Sequence, residues 1–173
     1  AEQLNKPLAA GGILYHGTLC LRNRTSRQAL GEIARSHKVK IFLDVNLRPP
    51  WWQRDEVFDW LKNSHWAKMN QEELFLLGEA ATDLRQQMAE LQETCGLEQL
   101  IVTRGEQGTL IRTSAGEFHS LVPEKVGRLV DTVGAGDAFS AIYIHGLRAG
   151  WSIDASLSHA QRFSGEIIGL RGA

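Results

Sequence analysis

The sequence predicts an α/β domain built on a mostly parallel sheet with helices on both faces. Short apolar runs alternate with amphipathic stretches along the chain, which is the pattern of strand–helix–strand units. Polar or glycine positions follow the apolar runs: Asp44 and Asn46 after one, Asn70 after another, Gly105 after a third. Open parallel sheets bind ligands at the carboxyl ends of their strands, so these positions share one expected location.

Taken in order, Ile13 to Leu19 reads as a strand and Arg24 to His37 as a helix with Leu30, Ile33 and Ala34 on one face. Val39 to Val45 is a short apolar strand, Arg54 to Leu61 a short helix, Trp66 to Met69 a brief strand and Glu72 to Leu77 another short helix. Thr82 is expected to cap a helix running to Thr94, with Leu84, Met88 and Leu91 as its inner stripe. Gln99 to Thr103 reads as a strand. Thr109 to Thr113 and Glu117 to Leu121 flank Ser114-Ala115-Gly116, the composition of a hairpin turn. Two helices follow, Asp137 to Arg148 and Ile153 to Ile168, with Gly150 between them as a natural terminator. No internal repeat or low-complexity linker interrupts residues 1–173, so a single domain is expected.

With 43% hydrophobic and 23% charged residues, the composition supports a real core. A formal net charge of −1 gives no support to binding of nucleic acid or an anionic membrane. No apolar run is long enough to span a bilayer, and the first residues do not read as a signal peptide. Cys20 and Cys95 lack CxxC spacing and read as unpaired thiols in a reducing cytosol. The histidines show no paired spacing, which argues against zinc.

The chemistry concentrates in Asp131-Thr132-Val133-Gly134-Ala135-Gly136-Asp137. Small residues let backbone N–H groups approach an anion, and the helix that follows turns its positive end toward the same point. A carboxylate beside a bound phosphate is repelled by it, so Asp137 asks for a chemical reason. Phosphoryl transfer supplies one: the amides hold the migrating group and the aspartate receives the acceptor hydroxyl's proton. The plainer alternative is charge–dipole attraction at the helix start, worth about 0.3–1 kcal/mol. The helix behind carries Ala138, Phe139, Ala141, Ile142, Tyr143, Ile144 and Leu147, an apolar surface almost all round, and is expected to be buried and rigid. The run lacks the third glycine of the dinucleotide fingerprint, and no Gly-Lys-Ser/Thr follows it as in a Walker A loop.

At this motif the chain resembles the PfkB/ribokinase family of carbohydrate kinases. Other segments resemble the family in the expected order. Asp44-Val45-Asn46-Leu47-Arg48 is similar to the D-x-N-x-R stretch of its fructokinase-like members, which implies sugar contacts for Asn46 and Arg48; a rigid turn is the alternative. Trp51 and Trp52 beyond it suit packing or subunit contacts. Asn70-Gln71-Glu72-Glu73 matches the N-x-x-E motif, which implies that Glu73 serves Mg²⁺ through water; a helix capping box explains the same residues without a ligand. Thr103-Arg104-Gly105-Glu106-Gln107-Gly108 looks like the nucleotide loop, or an ordinary glycine turn. Asp131, the Val133 carbonyl and Arg171-Gly172-Ala173 resemble a monovalent-cation site, with K⁺ the candidate ion; Asp131 also suits bracing of the loop. Gln161 stands where many relatives place an asparagine near the adenine.

The resemblance thus implies a ribokinase-like fold and ATP-dependent phosphorylation of a sugar hydroxyl, most like fructokinase. Asp137 would be the base, with the amides of Gly134, Ala135 and Gly136 as anion hole. Asn70, Thr103, Gly105, Gly108 and Gly136 would bind the nucleotide, and Asp137, Asn46 and Arg48 the acceptor. A kinase-derived binding protein without catalysis, or a kinase for ribose, 2-keto-3-deoxygluconate or a nucleoside, stays open. The implied setting is the cytoplasm, with ATP and a small sugar as partners, no nucleic acid or membrane, and a homodimer as the open assembly state. The motifs correspond to the C-terminal, nucleotide-binding half of such kinases, so the N-terminal half and lid are expected to be absent.

Overall fold

A computed structural model describes residues 12–36, 39–78, 83–123 and 134–168. The strands are β1 (Ile13–Gly17), β2 (Lys40–Asp44), β3 (Trp66–Asn70), β4 (Gln99–Thr103), β5 (Thr109–Thr113) and β6 (Phe118–Leu121). The helices are α1 (Arg24–Ser36), α2 (Arg54–Lys62), α3 (Gln71–Leu77), α4 (Leu84–Cys95), α5 (Ala135–Ala149) and α6 (Ile153–Ile168). Single 3₁₀ turns cover Thr18–Arg22 and Gly105–Gln107.

The sheet order is the chain order, β1-β2-β3-β4-β5-β6. The first four strands are parallel, and β5 and β6 return antiparallel as the expected hairpin. Because the chain steps one strand at a time in one direction, right-handed crossovers deliver their helices to a single face. The other face is left for α5 and α6. Side chains alternate across each strand to fill both layers. Leu43, Val45, Ala67, Met69, Leu100 and Val102 pack with Leu61, Leu74 and Met88 of α2, α3 and α4. Phe42, Trp66, Ile101 and Ile111 pack with Phe139, Tyr143, Leu157 and Ala160 of α5 and α6. Asp44 lies two residues beyond Phe42 and Lys68 two beyond Trp66, which puts both polar groups on the α5 face.

Most elements fall where the sequence places them, and the departures have local causes. β1 stops at Gly17 instead of Leu19 because the Thr18 hydroxyl donates to the Val45 carbonyl at 2.6 Å and turns the chain into a 3₁₀ turn. The cap of α4 is Asp83, whose carboxylate accepts from the Gln86 N–H at 3.3 Å; Thr82 lies outside the described residues. α5 is not buried all round: Phe139, Ser140, Tyr143 and Gly146 are buried, whereas Ala141 and His145 face solvent. Its apolar count overstates burial because only one side of the helix meets the sheet. Among the described residues no helix is long and apolar enough to cross a membrane.

Candidate active site

The site forms where the first turn of α5 sits over the carboxyl ends of β1, β2 and β3. Gly134 is the N-cap of α5 at φ 84°, ψ −16°, a left-handed conformation that favours glycine. Gly134 has no side chain to cap this end, and among the described residues the first intrahelical bond is Ala138 N–H to Gly134 O at 2.9 Å. The amides of the first turn therefore have no partner within the helix. Gly136 and Asp137 are exposed there. The turn is anchored from behind: Ser164 of α6 donates to Ala135 O at 2.9 Å, and Ser140 reaches Gly136 O at 3.0 Å.

Beneath the turn lies a buried ion pair. Lys68 Nζ donates to Asp44 Oδ2 at 2.6 Å, with side-chain exposures of 7% and 9%. The Ser140 hydroxyl lies 2.9 Å from the same oxygen and the Tyr15 hydroxyl 3.3 Å. Tyr15 also reaches Asp137 Oδ1 at 3.1 Å. Lys68, Asp44, Tyr15, Ser140 and Asp137 thus form one connected polar network from β3 to the helix end. Partial burial and then the two carboxylates push the Tyr15 phenol far above its usual 10, so it stays a hydrogen-bond donor.

Asn70 and Glu73 form the capping box in full. Asn70 Oδ1 accepts from the Glu73 N–H at 2.8 Å, and Glu73 Oε2 accepts from the Asn70 N–H at 2.9 Å. Glu73 does more than cap. Its Oε1 accepts from the Leu47 N–H at 2.7 Å, which ties the loop after β2 to the end of β3. Burial raises the Glu73 carboxyl above its ordinary 4.5, opposed by the Asn70 and Leu47 amides. A carboxyl raised on folding contributes most below its unfolded value, and that contribution is lost as pH rises through the folded value. Glu73→Gln leaves one of the two amides unsatisfied and is expected to cost about 1–2 kcal/mol. Thermal midpoints at about pH 4 and about pH 7 check the sign: the gap between parent and variant should be wider at the acidic end.

The loop after β2 carries Asn46, exposed at φ 41°, and exposed Arg48. Asparagine is among the few non-glycine residues that take the left-handed conformation at little cost. Trp52 packs against the first core, whereas Trp51 is 56% exposed under the Arg22 guanidinium. Thr103 ends β4 in register with Asn70 of β3, so these two stand side by side. The Arg104–Gly108 turn closes with Arg104 N–H to Gly108 O at 2.8 Å. Gly108, at φ 83°, lies against the Leu121 carbonyl, where a Cβ would clash, so its glycine has a structural reason. Gly105 faces open space. Gln161 accepts from the Thr109 hydroxyl at 3.0 Å and so joins α6 to β5.

The structure therefore gathers Gly134, Ala135, Gly136 and Asp137 at one helix end, and sets Asn46, Arg48, Asn70, Glu73, Thr103 and Gly105 along the carboxyl ends of adjacent strands. Asp131, Val133 and Arg171 to Ala173 lie outside the described residues. Sequence reasoning missed Tyr15, Lys68 and Ser140. A signal was present for one of them: a lysine between apolar residues in Trp66–Asn70 requires a buried counter-ion. The donor set suits Mg²⁺ carried on phosphates. That ion retains most of its waters and asks for few protein carboxylates, and Asn70 and Glu73 offer one amide and one carboxylate at the end of β3.

A sequence model described as pfkB family carbohydrate kinase matches residues 1–173. The chain belongs to this family. It is 33% identical over 135 residues to aminoimidazole riboside kinase of Salmonella typhimurium, a match covering 72% of this chain and 40% of that protein. It is 32% identical over 149 residues to a fructokinase of Salmonella thompson, covering 82% of this chain and 66% of that one. In solved structures it is similar to aminoimidazole riboside kinase from Salmonella enterica, complexed with aminoimidazole riboside and an ATP analog. There the TM-score is 0.85 at 26% identity, covering 99% of this chain and 61% of the other. A putative ribokinase II from E. coli in complex with ATP and Mg²⁺ shares the fold at TM-score 0.81 and 22% identity, covering 92% of this chain and 53% of that one. The pfkB-type chain spans about half the length of the 5-dehydro-2-deoxygluconokinases it matches, 49% and 45%.

Proposed function

We propose that this chain carries the phosphoryl-transfer centre of an ATP-dependent kinase acting on a sugar hydroxyl. The observation that carries the reading is Asp137: an exposed carboxylate in the first turn of a helix whose N-cap is a left-handed glycine. Asp137 takes the proton of the acceptor hydroxyl as its oxygen bonds the γ-phosphorus. The bond from that phosphorus to the bridging oxygen breaks, and its electrons leave with ADP. A loose transition state asks little of the base beyond position. The amides of Gly134, Ala135 and Gly136, with the positive helix end, hold the charge on the transferring group. Such donors are worth about 10²–10³ in rate each.

Asn70, Thr103, Gly105 and Gly108 line the nucleotide side, and Asn46 and Arg48 contact the acceptor. Mg²⁺ bound with ATP supplies charge neutralisation at the phosphate oxygens; Asn70 and, through water, Glu73 are the residues that would hold it. Asp131 is assigned a K⁺ that stiffens the anion hole, on the family resemblance alone. Loss of potassium dependence as the main effect of Asp131→Ala supports that assignment, and unchanged dependence overturns it. The family reading also carries a cytoplasmic setting, and exposed Trp51 is a candidate subunit contact.

Fructose is the acceptor of first choice, from the Asp44–Arg48 stretch and the fructokinase relative. Aminoimidazole riboside is the second, favoured by the relative and the solved structure of that kinase. ADP release by the native protein with Mg²⁺, across fructose, aminoimidazole riboside, ribose, 2-keto-3-deoxygluconate and adenosine, tests the reading. One acceptor with a clearly higher kcat/KM supports it and names the substrate. ATP binding without release for every acceptor favours a non-catalytic binding protein.

A further inference from the structure

Tyr15 stands on β1 opposite Phe42 of β2, its ring 6.1 Å from the Phe42 ring. Its hydroxyl lies between two carboxylates, 3.1 Å from Asp137 Oδ1 and 3.3 Å from Asp44 Oδ2. A phenol has one proton to donate, so it serves one carboxylate at a time. Asp44 Oδ2 already holds the Lys68 ammonium at 2.6 Å and has the Ser140 hydroxyl at 2.9 Å. Among the described residues, Tyr15 is the only side chain hydrogen-bonded to Asp137. The crowding at Asp44 therefore directs the phenol proton to Asp137. Tyr15 is itself 41% exposed, so the Phe42 ring and the Asp137 contact, not burial, set where its hydroxyl lies.

We propose that Tyr15 is a positioning residue for phosphoryl transfer: its hydroxyl fixes the Asp137 carboxylate through Oδ1 and leaves Oδ2 to face the acceptor hydroxyl. Tyr15 takes no proton and contacts no reacting atom; it acts through Asp137. The inference rests on the role assigned to Asp137 above. If the ring only packs on Phe42, its hydroxyl is dispensable.

Tyr15→Phe keeps the ring and removes the oxygen. In the native protein it is expected to lower kcat about 10-fold or more, as befits a misplaced general base. Acceptor KM should stay within about twofold and ATP affinity unchanged, since only the base is disturbed. In an Asp137→Asn background the same change should have no further effect, because the two residues act as a unit. A kcat within twofold of the parent, a rise in acceptor KM alone, or additive losses in the double variant would each overturn the proposal. Crystal structures of parent and Tyr15→Phe separate this from failure of the kinase reading. If the parent phosphorylates nothing, a reoriented Asp137 in the variant still supports the positioning contact, and an unchanged carboxylate refutes it.

Discussion

Replacing Asp137 with asparagine is expected to lower kcat by about 10²–10⁴-fold, the usual contribution of a positioned general base. Asparagine keeps the size and planar shape but cannot accept the acceptor's proton. Affinity for ATP should hold or rise, because the carboxylate repels the phosphates that the helix end attracts. That split separates the catalytic reading from the charge–dipole reading of the same residue. If Asp137 merely favoured the helix start, the variant would lose about 0.3–1 kcal/mol of stability and keep its turnover. The expected pattern is the reverse: near-parental thermal stability, intact nucleotide binding and almost no phosphorylated product. Calorimetric ATP titration beside a coupled assay measures both halves.

The second large effect is expected at Lys68. Lys68→Met leaves the buried Asp44 carboxylate without its cation, a change that typically costs about 3–5 kcal/mol. For a domain of this size that lowers the thermal midpoint by about 6–20 °C. Adding Asp44→Asn removes the orphaned charge, so the double variant should recover most of the loss. Denaturant unfolding of the parent, both single variants and the double variant provides the cycle. Stability lost equally in the single and double variants would mean that packing, not charge pairing, holds this spot. The pair matters beyond stability because Asp44 lies 2.9 Å from the Ser140 hydroxyl beneath the first turn of α5. Function would suffer in the single variant even where folding persists.

The fold was largely legible because its signals are local. Apolar runs such as Ile41 to Leu43 and Leu100 to Val102, separated by helical stretches, specify strands whatever lies elsewhere in the chain. The Asn70–Glu73 box was legible for the same reason, being three residues long, but its link to Leu47 spans 26 residues and has no sequence mark. The helix-end motif likewise announced itself through adjacent glycines and Asp137. What supports it did not. Tyr15, Asp44 and Lys68 meet because β1, β2 and β3 pair in one register, with Gly17 opposite Asp44 and Asp44 opposite Lys68. A shift of one residue would send each side chain to the other face of the sheet, and register is set by the folded whole. The burial of α5 was overestimated on the same ground, since composition counts apolar residues and not the side from which the sheet approaches.

On this account Asp137, in the first turn of α5, takes the proton of a sugar hydroxyl as that oxygen receives the γ-phosphoryl group of ATP. The most direct measurement incubates the native protein with Mg²⁺, ATP and the preferred acceptor and quantifies both products by ³¹P NMR. The account predicts ADP and acceptor phosphate in equal amounts from the parent, and both formed about 10²–10⁴-fold more slowly by Asp137→Asn. Acceptor phosphate formed at the parental rate by Asp137→Asn would contradict it.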